Sequence, residues 1–196
     1  MCIRDRFLQA DAIHADGMPH VFVSRYLCEA ALPERVATTD LFHYVADEAT
    51  ARGATMFMLG ASEQSNRLAA EWVRQHYPNV QLVGARNGYF ADVQDEIKAC
   101  EEIAEHAPDI LWVSMGVPRE QTFIARHRHR LTTTGVIKTS GGLFDFLSGS
   151  KPRAPLWMQD AGLEWLWRTG LEPRRLAMRY LKTNPYAMYL LLTQSR

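Results

Sequence analysis

Short apolar stretches that break at glycine and run into amphipathic segments recur through the middle of this chain, and no other feature narrows its fold so far. Residues 55–59 (TMFML) read as a buried strand ending at Gly60-Ala61-Ser62. Residues 63–77 then have helical spacing, with Leu68, Ala69, Trp72 and Val73 on one face. Residues 80–83 form a short strand before GARNGYF, and 92–106 a helix with Ile97, Cys100, Glu101 and Ala104 spaced by three or four. The strongest strand is 110–115 (ILWVSM); it breaks at Gly116-Val117-Pro118, and 119–130 read as the next helix. A last strand over 135–139 leads into Ser140-Gly141-Gly142. Strand, glycine loop and helix in repetition specify an α/β fold, a Rossmann-like parallel sheet with helices on both faces.

Upstream, 12–15 are expected as a strand ending at Asp16-Gly17, and 18–31 and 40–52 as helices, the second capped by Thr39 or Asp40. The composition changes near Ser150. Residues 151–196 hold eight Lys/Arg against three Asp/Glu, which leaves 14 against 19 in residues 1–150. This divides the chain into an α/β body, 7–150, and a helical, basic C-terminal appendage, 151–196. The zero overall charge gives no general attraction to nucleic acid.

Cys2, Cys28 and Cys100 are odd in number and widely spaced, so neither a disulfide framework nor a zinc site is expected and a reducing cytoplasm is the default compartment. The apolar runs fall far short of the ~20 residues a membrane span needs. Among the histidines, His127 and His129 stand two apart, pointing differently on a helix, and His14 and His20 lack a spaced partner. No DxD pair is present. The expectation is a site without metal or other cofactor.

In such folds ligands lie at the carboxyl ends of the strands. Five loops are expected to converge there: Asp16-Gly17, Gly60-Ala61-Ser62, 84–90, 116–121 and 140–144. None carries GxGxxG or the GxxxxGK[ST] phosphate loop, so generic dinucleotide chemistry has little support.

Eight blocks then add up. They are ADGMP from Ala15, LPERVATTDL from Leu32, MLGAS from Met58, GARNGYF from Gly84, MGVPREQTFI from Met115, GGLFDFLSG from Gly141, KPRAPLWMQDAGLEWLWR from Lys151 and EPRRLAMRYL from Glu172. Their order and content resemble the WecG/TagA/CpsF glycosyltransferases (glycosyltransferase family 26) over nearly the whole chain from about Asp11. The resemblance implies a bacterial enzyme, peripheral at the inner face of the cell membrane. It would move an N-acetylmannosamine, its uronic acid or glucose from a UDP-sugar to a polyprenyl-diphosphate-linked saccharide, inverting the anomeric centre without a metal. It makes 7–150 the nucleotide-sugar-binding domain and implies a further segment upstream. The opening MCIRDR looks like an artefact of sequence assembly and is set aside.

The resemblance also assigns roles. Asp16 matches the acidic position proposed as catalytic base, one carboxylate placed to take the acceptor's proton; a plain Asp-Gly turn is the alternative. Arg35 matches an arginine suited to the donor diphosphate; a surface pair with Glu34 or Asp47 is the alternative. Asp40 follows a polar-Asp pair that helix capping also explains. The family more often reads GxPxQE where this chain has GVPREQ, so either Glu120 or Gln121 takes the substrate-facing place. Gly141 and Gly142 would let backbone approach the uridine or its phosphates; a close strand–helix crossing is the alternative. Phe144, Phe146 and Trp165 are expected in the core. Arg174, Arg175 and Arg179 are expected to neutralise phosphate charge. The Trp and Tyr residues of the tail suit an anionic membrane surface. A second copy of the chain as partner is left open. The competing readings are a dinucleotide- or S-adenosylmethionine-binding enzyme and a non-catalytic partner of a polysaccharide assembly machine.

Overall fold

A computed structural model describes residues 3–194, apart from the side chains of Ile3, Arg4, Arg175, Arg179 and Gln194. The chain divides into two compact units, the first built from residues 1–13 and 38–152, the second from 14–37 and 153–196.

The first unit is organised by four parallel strands, β1 (Thr55–Gly60), β2 (Gln81–Arg86), β3 (Ile110–Ser114) and β4 (Val136–Thr139), in the order β2-β1-β3-β4. Helices α3 (Thr38–Arg52), α4 (Glu63–His76), α5 (Val93–His106), α6 (Arg119–His127) and α7 (Leu143–Leu147) complete it, with a 3-10 turn at Arg128–Arg130. The expected Rossmann-like α/β sheet is observed. Side chains alternate across each strand, so each strand feeds two cores. Met56, Met58 and Trp112 pack with Phe42, Ala69, Val73 and Phe144 on one face. Phe57, Leu59, Leu111 and Val113 pack with Ala99, Ile103 and Phe123 on the other. Both faces of β1 and β3 are therefore closed, which is why these segments read as unbroken apolar runs.

Helix ends follow local chemistry. Ser62 caps α4 by accepting from the Ser65 N–H at 3.1 Å, and Asp92 caps α5 by accepting from Asp95 at 2.8 Å. Residues 1–6, set aside on sequence grounds, include part of a short helix, α1 (Ile3–Phe7), whose Arg6 donates to Thr122 of α6. Helix α3 begins at Thr38, so Thr39 and Asp40 are inside its first turn and neither is the N-cap. Asp40 is half-buried there, where a carboxylate offsets the positive end of the helix.

Residues 12–15, where the first unit gives way to the second, are not a strand; they run as irregular chain into α2 (Met18–Leu27), four residues shorter than expected. The Ser24 hydroxyl donates to the Val21 carbonyl at 2.9 Å and accepts from the Leu32 N–H at 2.9 Å, folding the following loop back onto the helix. The tail forms α8 (Leu156–Asp160), α9 (Glu164–Leu171) and α10 (Pro173–Gln194), with α10 packed on α9 and α2. Leu176 is buried, but Met178, Leu181, Tyr186, Tyr189 and Leu192 are exposed. Trp165 is 39% exposed, against expectation: it stands edge-on to Tyr180 at 6.0 Å instead of entering a core. No helix among the described residues is long and apolar enough to cross a membrane.

Candidate functional site

Chain progression reverses between β1 and β3: β2 lies to one side of β1, and β3 and β4 to the other. Outside the carboxyl ends of the strands at such a reversal a crevice opens. Here the crevice floor is built by close backbone packing. Gly60 pairs with Ser114, and a Cβ on Gly60 would lie 2.2 Å from the Ser114 carbonyl oxygen, so only glycine fits. The Ala61 N–H donates to that same oxygen at 2.7 Å, with Ala61 in the left-handed region at φ 57°. Gly88 donates in turn to the Ala61 carbonyl at 3.0 Å. Below them the Asn66 amide of α4 donates to the carbonyls of Gly60 at 3.0 Å and Arg86 at 2.9 Å, tying the ends of β1 and β2 together.

On the β3–β4 side the organising group is Glu120. The GVP turn brings it into the first turn of α6, where it is 2% exposed. Its Oε2 accepts from the Gly141 N–H at 3.0 Å and the Met115 N–H at 3.4 Å, while Oε1 accepts from the Gln121 amide at 3.1 Å. Burial pushes the carboxyl above its ordinary value, and these hydrogen bonds only partly oppose that. Gln121 is buried as well, and its Oε1 has no hydrogen-bond partner. The Ser114 hydroxyl donates to the Gly141 carbonyl at 2.9 Å. Both backbone groups of Gly141 are thus held from β3 or α6. Its φ of 60° calls for glycine, whereas a Cβ would meet nothing within 4 Å, so close strand–helix crossing is not the reason for this glycine. Gly142 is the N-cap of α7. Phe144 is buried as expected; Phe146 is only half-buried. Asp145, in the first turn of α7, pairs with Lys151 at 2.8 Å.

Four of the five expected loops lie at this rim. The fifth, Asp16-Gly17, follows no strand and belongs to the other unit. Within that unit Asp16 is exposed, immediately before the α2 N-cap Gly17. Gly17 is extended, at φ −107° and ψ 139°, so the pair is not a glycine-dependent turn. The Val36 N–H donates to the Ala15 carbonyl at 2.9 Å, which sets the Asp16 segment beside the segment of Arg35. Arg35 reaches the tail helices α8 and α9. Its guanidinium donates to Glu164 at 3.0 Å and to Gln159 Oε1 at 2.9 Å, and Arg153 reaches the same oxygen at 2.7 Å. Two guanidinium groups meeting on one amide oxygen, with Glu164 alongside, form a cluster suited to exchange a carboxylate for phosphate oxygens. Arg174 is exposed at the start of α10; the side chains of Arg175 and Arg179 lie outside the described residues.

The structure therefore gathers Glu120, Gln121, Gly141 and Gly142 in one unit, and Asp16, Arg35 and Arg174 in the other. Sequence reasoning passed over Ser114, Asn66, Arg153, Gln159 and Glu164. Asn66 left a signal: it occupies the same helical stripe as Ala69, Ala70 and Val73, a polar residue in a buried register. No group of three or more His, Cys, Asp or Glu able to hold a metal occurs among the described residues.

The sequence profile of the glycosyl transferase WecG/TagA/CpsF family matches residues 2–196. The chain belongs to that family. As a WecG/TagA/CpsF member it is 33% identical over 187 residues to the N-acetylglucosaminyldiphosphoundecaprenol N-acetyl-beta-D-mannosaminyltransferase of Bacillus subtilis strain 168, covering 95% of this chain and 71% of the relative. It is 34% identical over 166 residues to the identically named protein of Bacillus spizizenii, covering 85% of this chain and 63% of that relative. The WecG/TagA/CpsF profile thus takes in both units, the sheet and the helical tail alike.

Proposed function

We propose that this chain is a transferase that moves an N-acetylmannosamine-type sugar from a UDP-sugar to a polyprenyl-diphosphate-linked acceptor, at a membrane surface and with inversion. The observation that carries the reading is the family match across both units, joined to relatives named for that transfer. Within the sheet unit, the strand-end rim around Gly141 supports it by offering backbone groups to a nucleotide.

In the step proposed, the acceptor hydroxyl gives its proton to the Asp16 carboxylate as its oxygen forms the new bond to the anomeric carbon. The bond from that carbon to the UDP oxygen breaks on the opposite face, and UDP leaves with the electron pair. Arg35, with Arg153 beside it, would take the departing diphosphate charge in exchange for Glu164. The exposed Met178, Leu181, Tyr186 and Tyr189 of α10, with Arg174, Arg175 and Arg179 on the same helix, would meet anionic lipid. No resident metal or cofactor is part of the proposal.

The test is transfer of labelled sugar from UDP-N-acetylmannosamine to an undecaprenyl-diphosphate-linked N-acetylglucosamine, with and without EDTA. Asp16→Asn should lower turnover by ~10²–10⁴-fold, the usual contribution of a general base, while UDP binding persists. Turnover by the Asp16→Asn variant at the original rate would remove Asp16 from the mechanism. Thermal stabilisation by NAD or S-adenosylmethionine and not by UDP would overturn the donor assignment. Flotation with anionic but not neutral vesicles, weakened by replacing the three α10 arginines with glutamate, is the expected result for the tail.

A further inference from the structure

Four features compete for a second reading: the Glu120 clasp, the Glu96–His127–Arg126 cluster, the groove of about 350 Å³ beside α4, and the exposed apolar side chains of the tail. The groove is lined by acidic and basic side chains together, Glu63 and Glu71 with Arg67, Arg74 and Arg86, and so favours no ligand charge. The clasp carries an inference furthest, since three hydrogen bonds converge on one buried carboxylate.

We infer that Glu120 is a positioning residue, not a substrate ligand: it fastens the Gly141 turn to the end of β3 through its hydrogen-bond acceptors, a task for which a neutral side chain of the same shape suffices. The inference rests on the transferase reading only for its consequence in catalysis; the clasp itself is a property of the fold. A group 2% exposed has little surface left for a sugar. Both carboxyl oxygens are already occupied, Oε2 by two backbone N–H groups from different loops and Oε1 by Gln121. Gly141 has a φ of 60°, and both of its backbone groups are held by side chains, its N–H by Glu120 and its carbonyl by Ser114.

The unpartnered Gln121 Oε1 fits the same account. Were Glu120 protonated on Oε1, that O–H would donate to the Gln121 carbonyl oxygen with the amide turned over, and the orphaned acceptor would be satisfied. The groups that reach the carboxyl, from β3, α6 and the loop after β4, are N–H donors and one amide, none of them ionisable. Burial favours the proton in the same direction.

The decisive experiment is hydrogen exchange and amide NMR on the 196-residue chain with Glu120→Gln and Glu120→Ala, read beside UDP affinity. Glu120→Gln keeps an acceptor oxygen for Gly141 and should preserve exchange protection at Gly141 and UDP affinity within about twofold. Glu120→Ala should raise exchange at Gly141 and Gly142 by at least about tenfold while the amides of β1 stay protected, and should weaken UDP by a similar factor. The Gly141 amide resonance should move with a titration above the ordinary carboxylate range, and stand still in Glu120→Gln. A Gly141 amide indifferent to Glu120→Ala, or a Glu120→Gln variant as open as Glu120→Ala, would overturn the inference. If Glu120→Ala does not fold, the resonance titration and Glu120→Gln decide alone. If UDP fails to bind the unaltered chain, the transferase reading falls, and the exchange data still judge the clasp.

Discussion

Trp112 and Trp157 mark the difference between the two units. The first is fully buried on β3, tilted against Phe42 at 5.1 Å; the second is 64% exposed on α8. The sheet unit closes Phe57, Leu59, Leu111 and Trp112 of its central strands into two cores, whereas α8, α9 and α10 carry Leu156, Trp165, Leu181, Tyr186 and Tyr189 in the open. A strand between two helical layers has no free face, so hydrophobicity there is a requirement of the fold. A tail helix that buries Leu176, half-buries Leu190 and Leu191 and leaves Met178, Leu181, Tyr186, Tyr189 and Leu192 outside has a stability set by few contacts and a surface disposed to bind something else.

The strongest attempt to break this contrast is a pair of truncations. Trp112→Ala should cost ~3–5 kcal/mol, the range for a large aromatic removed from a core, and Trp157→Ala less than about 1 kcal/mol, by chemical denaturation. Equal costs would mean that the tail has a core of its own.

Gly60→Ala should follow, at about 2–3 kcal/mol, since its Cβ would strike the Ser114 backbone in a left-handed conformation. Gly141→Ala, where space is open and only φ objects, should cost about 1 kcal/mol, which separates crowding from conformation as reasons for glycine. Arg35→Ala should remove about 1–2 kcal/mol by leaving Glu164 and Gln159 partly unpaired, with exchange protection lost in residues 153–164 and retained in the sheet.

Acidity sharpens the comparison within the sheet unit. Glu120 is raised in the folded state, so its contribution to stability is complete below the unfolded carboxylate value and is lost as pH rises through the folded one. Glu96 is subject to an opposing desolvation, yet its hydrogen bonds to His127 and Arg126 prevail and hold it low; its contribution is present above the unfolded value and is lost as pH falls through the folded one. Glu120→Gln should therefore flatten the upper limb of the stability profile and leave the lower limb alone. The smallest effect concerns Cys100: burial raises its thiol to about 11, so in a variant lacking Cys2 and Cys28 it should resist thiol reagents at neutral pH until the chain unfolds.

The sequence was legible in proportion to how local the deciding physics is. The strands at 55 and 110 were visible because burial on both faces demands continuous apolar runs, and α4 and α5 because their caps and stripes are written within a few residues. Residues 12–15 misled because a short apolar run says nothing about a pairing partner. Trp165 misled because aromatic character was taken for burial. Arg35 finds Glu164 across 129 residues of chain, beyond the reach of any spacing rule. Glu120 was singled out by its motif, but a motif does not say that its carboxylate would accept from the backbone of Met115 and Gly141.

Asn66 holds a further consequence. One nitrogen serves two strand ends, and its replacement by a carboxylate of the same shape would set oxygen against oxygen at both. Spontaneous hydrolysis of that single amide, a change of one mass unit, would loosen the seam beneath the glycines and disable an aged preparation whose secondary structure still looked intact.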